Sequence, residues 1–91
     1  MSIRPRDAES GIFVSAHGTG LTILDTVEWR VFVSNETGAR IWAHLSAGLT
    51  IEEISNEIAG TFSISPEQAK QSVRAFVQEL DRQALLVRRS A

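Results

Sequence analysis

Cysteine is absent from this 91-residue chain, which excludes disulfide staples, thiolate metal sites and a cysteine nucleophile. No run approaches the ~20 apolar residues that span a bilayer. The opening Met1-Ser2-Ile3-Arg4-Pro5-Arg6 leads into polar residues rather than an apolar core segment, so no signal peptide is expected and a cytoplasmic location is the default. Histidine occurs twice, as His17 and His44, and neither stands in a ligand-spaced cluster with carboxylates. No serine lies in a nucleophile-elbow pattern. His17-Gly18-Thr19-Gly20 lacks the Lys-Ser/Thr of a phosphate-binding loop. Glu52 and Glu53 are adjacent, but Glu53 reads as a helix-capping residue and Glu52 as solvated surface. A catalytic mechanism needs convergent groups with tuned proton affinities. Nothing here supplies them, so no enzyme activity, metal or cofactor is expected, and the chain reads as a binder.

The apolar fraction of 43% suits one small core, because a domain of this length buries about two thirds of its unfolded surface. A single domain over residues 1–91 is expected, ordered from about 12 to 87. The formal net charge of −2 conceals an asymmetry. Residues 1–69 carry four basic and nine acidic side chains, whereas residues 70–91 carry five basic and two acidic ones. The basic end either complements a helix dipole or meets an acidic partner.

Residues 1–10 read as a loose lead-in. Ile12-Phe13-Val14 and Leu21-Thr22-Ile23-Leu24 are strand-like segments separated by the glycine-punctuated His17–Gly20 turn. Asp25-Thr26-Val27-Glu28 is a second reversal. Trp29 to Ser34 is then a third strand, with Trp29, Val31 and Val33 on one side and Arg30 and Phe32 on the other. Short turns imply an antiparallel meander. Thereafter the period becomes helical. Asn35 caps a helix whose Gly38, Ile41, Trp42 and Leu45 share a face, and Gly48 stops it. Thr50 and Glu53 form a capping box for a second helix with Ile51, Ile54, Ile58 and Ala59 inward, ending at Gly60. Ser65-Pro66-Glu67-Gln68 opens a third helix, whose stripe is Ala69, Val73, Phe76, Val77, Leu80 and Ala84. Leu85-Leu86-Val87 finishes the core. The expected fold is α+β and winged-helix-like, a three-stranded meander followed by three helices (βββααα).

Two binding surfaces follow. A third helix bearing Lys70, Arg74, Gln78 and Arg82 resembles a major-groove reader. A sequence pI near 5.6 and Glu52, Glu53 and Glu57 on the second helix oppose phosphate binding. The other surface is the free edge of the third strand, where an extended peptide can pair. The third helix would wall that groove, with Val73 and Val77 as apolar floor and Lys70 and Arg74 as rim. Trp29, Val31 and Val33 serve as core in one reading and as pocket walls in the other. A small structural subunit of a larger assembly is the remaining possibility.

Asn35-Glu36-Thr37-Gly38-Ala39-Arg40-Ile41-Trp42 closely resembles the strand-to-helix junction of the PqqD-like family. Leu24-Asp25, Leu49-Thr50-Ile51-Glu52-Glu53-Ile54 and Phe76-Val77-Gln78-Glu79-Leu80 agree with it in order, so the resemblance spans roughly residues 12–87. It implies a recognition element for ribosomally made, post-translationally modified peptides. Such a domain binds a precursor's leader as an added strand between strand three and helix three, and delivers it to a processing enzyme without doing chemistry. Carried to this chain, the groove is Trp29, Arg30, Val31, Phe32 and Val33 facing Lys70, Val73, Arg74 and Val77. The intact Asn-Glu-Thr-Gly-Ala run looks more like the stand-alone leader-binding proteins of lasso-peptide biosynthesis than like the pyrroloquinoline quinone protein. That implies a separately encoded leader peptidase as partner. Ser34 departs from the pattern, since an apolar residue is commoner before the asparagine.

Overall fold

Strand register decides which side chains reach the interior. In the computed structural model, which describes residues 2–17 and 20–89, β2 (Ile12–His17), β3 (Gly20–Asp25) and β4 (Arg30–Asn35) form an antiparallel sheet in the order β2-β3-β4. Leu21, Ile23 and Asp25 of β3 point inward and are buried. Their β4 partners are Ser34, Phe32 and Arg30 respectively, so these three share the inner face. The opposite face is made of cross-strand rows, Phe13–Leu24–Val31 and Ser15–Thr22–Val33. Gly18 and Thr19, at the centre of the expected first turn, lie outside the described residues.

The second turn is built around one carboxylate. Asp25 Oδ1 accepts the Val27 and Glu28 amides at 2.9 and 3.3 Å, as short polar side chains do at chain reversals. Thr26 Oγ1 donates to the Gly11 carbonyl at 2.8 Å. Trp29 belongs to this turn rather than to the strand, which corrects the sequence reading. Its φ of 56° is left-handed, incompatible with strand pairing, and its side chain is 76% exposed.

The three helices start where their capping residues place them. Asn35 Oδ1 accepts the Gly38 amide and opens α1 (Glu36–Ser46), whose Gly38, Ile41, Trp42 and Leu45 are buried. Thr50 and Glu53 cap reciprocally at the start of α2 (Ile51–Phe62). Ser65 caps α3 (Pro66–Arg82), with proline in its first turn. α2 passes through Gly60 and ends at Ser63, which is left-handed at φ 54°. An isolated glycine costs a helix only about 1 kcal/mol relative to alanine, and the inward Ile58 outweighs it. Ala84 falls beyond α3, exposed and at φ 60°, and so leaves the expected stripe.

Residues 2–10 and 86–89 form more regular structure than expected. Ser2–Pro5 is a strand, β1, paired antiparallel with β5 (Leu86–Arg89), and Ala8–Ser10 is a 3₁₀ turn capped by Asp7. Arg6 locks this segment down. Its guanidinium donates to Asp25 Oδ2 (3.2 Å), to the Ala84 carbonyl (3.0 Å) and to the Ser10 carbonyl (2.6 Å). Lead-in polarity concealed this arrangement because one charged side chain satisfies two distant groups and one four residues on. The α+β class and the three helices stand, but the order is ββββαααβ in two sheets. One core, including Ile12, Leu21, Ile23, Ile41, Leu45, Ile54, Ile58, Val73, Leu80 and Leu85, joins the β2-β3-β4 sheet to the helices.

Candidate functional site

β4 is the outermost strand on its side of the sheet, so one side of its backbone carries no strand neighbour among the described residues. Such an edge is a template for a further extended chain. What lies beside it decides whether a guest gains side-chain contacts as well. α3 approaches β4 through a T-shaped contact of Phe32 with Phe76, ring centroids 5.9 Å apart. Next to that contact opens a cavity of about 390 Å³, lined by Ser34 and Asn35 of β4, Thr37, Gly38 and Ile41 of α1, and Ser72, Ala75 and Phe76 of α3. A second depression of about 300 Å³, lined by Ala75, Gln78, Glu79 and Arg82, continues along α3.

Gly38 keeps the cavity's back wall thin. A Cβ there would overlap Ser34 Oγ and approach Phe76 Cε1 to 2.7 Å. Ser34 is therefore a small side chain in a tight corner. The cavity has apolar depth from Phe76, Ile41 and Ala75 and a polar rim from Ser34, Asn35, Thr37 and Ser72. It suits an amphipathic or apolar side chain entering from an extended chain.

The end of the cleft nearest the second turn is charged. Asp25 is 2% exposed. Burial by itself raises its carboxyl, but the Val27 and Glu28 amides and the Arg6 guanidinium outweigh burial and hold it below the usual carboxylate value. Arg30 stands 3.8 Å from the same carboxylate, and its Nη2 donates to the Gln83 carbonyl at 3.0 Å. On α3, Arg82 pairs with Glu79 at 2.6 Å, which lowers the Glu79 carboxyl and raises the Arg82 guanidinium.

The residues singled out from sequence divide three ways. Phe32 meets Phe76 of α3, and Arg30 reaches the Gln83 carbonyl just past the end of that helix. Trp29, Val31 and Val33 are 76, 63 and 68% exposed. They are neither core nor cleft wall, because Val31 and Val33 project from the outer face of the sheet. Val73 and Val77 are core side chains, Val73 with no exposed surface, so no guest reaches Val73 as a floor. Lys70 and Arg74 are exposed and do not line the cavity. At 3.6 residues per turn they lie about 160–200° around α3 from Ser72. The cleft-facing side of α3 is instead Ser72, Ala75, Phe76 and Glu79. Its signal in the sequence was faint: small or polar residues spaced at 72, 75 and 79 beside an aromatic at the edge of the apolar stripe.

A scan against protein-family models matches residues 7–86 to PqqD, coenzyme PQQ synthesis protein D. No curated protein matches the chain. Two solved structures share its fold. TbiB1 in complex with the TbiA(beta) leader peptide superposes with a TM-score of 0.82 at 22% identity, covering 97% of this chain and 99% of that one. Lasso peptide synthetase B1 complexed with the leader peptide gives 0.83 at 19% identity, covering 97% and 100%. With a family match running from Asp7 to Leu86, through all three helices and the whole three-stranded sheet, the chain belongs to the PqqD family.

Proposed function

We propose that this protein binds the leader segment of a ribosomally synthesised precursor peptide as an added strand on β4 and presents it to a separate processing enzyme, a lasso-peptide leader peptidase in the favoured case. The observation that carries the reading is the β4 edge, without a strand partner among the described residues, lying against a cavity shared with α1 and α3. Two proteins of the same fold are described as leader-peptide complexes, which supports the choice of guest. In this reading the protein is an adaptor of the cytoplasm and performs no chemistry. No helix of the described residues is long and apolar enough to cross a membrane.

The magnitudes suffice. Two or three buried guest side chains contribute about 1.5–3 kcal/mol each, and each added-strand hydrogen bond about 0.5–1.5 kcal/mol. Association and ordering cost about 4–15 kcal/mol. A dissociation constant on the order of nanomolar to micromolar, about 8–12 kcal/mol, is the expectation and requires gains near the top of these ranges against costs near the bottom.

An adaptor needs a second surface for its enzyme. The outer face of the sheet offers one, since Phe13, Val31 and Val33 are exposed there and Val27 and Trp29 stand exposed on the adjoining turn. Apolar patches of this kind mark protein-interaction sites, and this one shares β4 with the cleft.

Isotope-edited NMR tests the reading, with the TbiA(beta) leader peptide and peptides selected from a displayed library as guests. Amide shifts concentrated on residues 30–35 and on Ser72, Ala75 and Phe76 are expected. A tight complex that leaves those amides unmoved defeats the proposal. Against nucleic acid stand the exposed Glu52, Glu53 and Glu57 on α2. Retention of nonspecific duplex at low salt that falls steeply with added salt would revive that reading.

A further inference from the structure

We infer that Arg30 selects an acidic side chain in the guest, at the end of the cleft nearest the second turn. This rests on the reading of the cleft as a peptide site. Arg30 begins the edge strand and points to the same side as Phe32, toward α3. Its guanidinium crosses the end of the cleft and donates through Nη2 to the Gln83 carbonyl. The same nitrogen is the one nearest Asp25. A guanidinium has five N–H donors, and the hydrogen bond and ion pair of Arg30 among the described residues both run through Nη2. The side chain is 46% exposed, so its other donors are open to a guest.

The electrostatics favour a carboxylate. Asp25 is already matched by Arg6 at 3.2 Å and by two backbone amides, which leaves the Arg6–Asp25–Arg30 group one positive charge in excess. Arg82 and Glu79 neutralise each other beside it. The contact that Arg30 makes at the end of α3 is to a neutral carbonyl. A carboxylate forms shorter, stronger, charge-assisted bonds and takes a guanidinium two-pronged. A guest strand laid along β4 must pass this crossing side chain. An Asp or Glu at that position turns the obstacle into an anchor and fixes the register of the strand.

Selection of a displayed random twelve-residue peptide library on the wild-type protein and on Arg30→Met tests the inference. The wild type is expected to enrich peptides with Asp or Glu at one fixed spacing from an apolar anchor, and Arg30→Met to lose that preference. Converting the selected acid to its amide is expected to weaken binding to the wild type roughly tenfold or more, the scale of a charge-assisted bond, and binding to Arg30→Met about twofold at most. The amide comparison on the wild type alone needs no variant, so it decides the point even if Arg30→Met folds poorly. Arg30→Lys, which keeps the charge without the planar fork, is expected to fall between. Enriched peptides without a fixed acid, or equal acid dependence in Arg30→Met, overturn this inference alone. A wild-type protein that enriches no peptide overturns the cleft reading and this inference with it.

Discussion

Val73 and Phe76 are neighbours on α3, one turn apart, yet the structure assigns them different work. Val73 has no exposed surface, while Phe76 is half-buried, in edge contact with Phe32, and lines the 390 Å³ cavity. Truncating each to alanine separates stability from binding. Val73→Ala removes buried methyl groups and leaves a small cavity in the core, a cost of about 1–2.5 kcal/mol by comparison with measured core truncations. For a domain of this size each kcal/mol lowers the melting temperature by about 4–8 °C, so a fall on the order of 5–15 °C is expected. Guest affinity per folded molecule should change by less than about twofold, because no atom of Val73 meets the cleft. Phe76→Ala loses the ring pair, worth about 0.5–1.5 kcal/mol beyond area, together with partial burial. Its melting temperature should also fall. It further strips the cavity of its main apolar wall, and a guest side chain that no longer buries fully forfeits about 1.5–3 kcal/mol, or roughly tenfold to a hundredfold in affinity. Calorimetric titration below both melting transitions, with circular dichroism to fix the folded fraction, reads the two effects apart. Equal loss of affinity in both variants, or a larger loss in Val73→Ala, would refute the assignment of the cleft to the Ser72–Ala75–Phe76 flank.

Other consequences can be measured alongside. Val31→Asp places a charge on the outer face and is expected to leave guest affinity within about threefold while reducing capture of the processing enzyme, read by pull-down of the loaded complex. Gly38→Ala gains helix propensity of about 1 kcal/mol but overlaps Ser34 and Phe76. The expected net is destabilisation and a smaller cavity, seen as a lower melting temperature with weaker guest binding. Asp25, Glu53 and Glu79 all have folded proton affinities below their ordinary values of 3.8, 4.5 and 4.5. Their contribution to stability is therefore complete above those values and is lost as pH falls through the lower folded ones. Melting temperature should stay flat from about pH 7 to 5 and drop below about pH 4, and a folded Asp25→Asn variant should show a shallower acid limb.

Much of this was legible from residue order alone, for reasons that differ by element. Capping chemistry is local, so Asn35, Thr50 with Glu53, and Ser65 with Pro66 located all three helix starts. Alternation placed Leu21 and Ile23 together on one face. Pairing between distant segments has no such local mark. The β1–β5 ladder joins residues more than eighty positions apart, and the polar Arg4-Pro5-Arg6 stretch gave no hint of it. In the site, the β4 edge was visible because it follows from a meander, and the apolar stripe of α3 was visible because it is periodic. Which flank of that stripe faces β4 is a matter of helix rotation, which periodicity leaves open. Conspicuous charge drew attention to Lys70 and Arg74, whereas the cavities beside β4 and along α3 are lined by the inconspicuous Ser72, Ala75 and Glu79. Val31 and Val33, apolar residues of a strand, are exposed on the outer face of the sheet, and Trp29 is exposed on the turn before it.

In the proposed adaptor role β4 would address two clients from one ribbon of backbone, even-numbered Arg30, Phe32 and Ser34 on the inner face toward the guest and odd-numbered Val31 and Val33 on the outer face. Substitutions can thus retune either allegiance without disturbing the other. Length is another matter: because strand side chains alternate with a period of two, adding or deleting a single residue upstream within this ribbon would exchange the two roles wholesale. Diversification of this strand is open to replacement and closed to insertion.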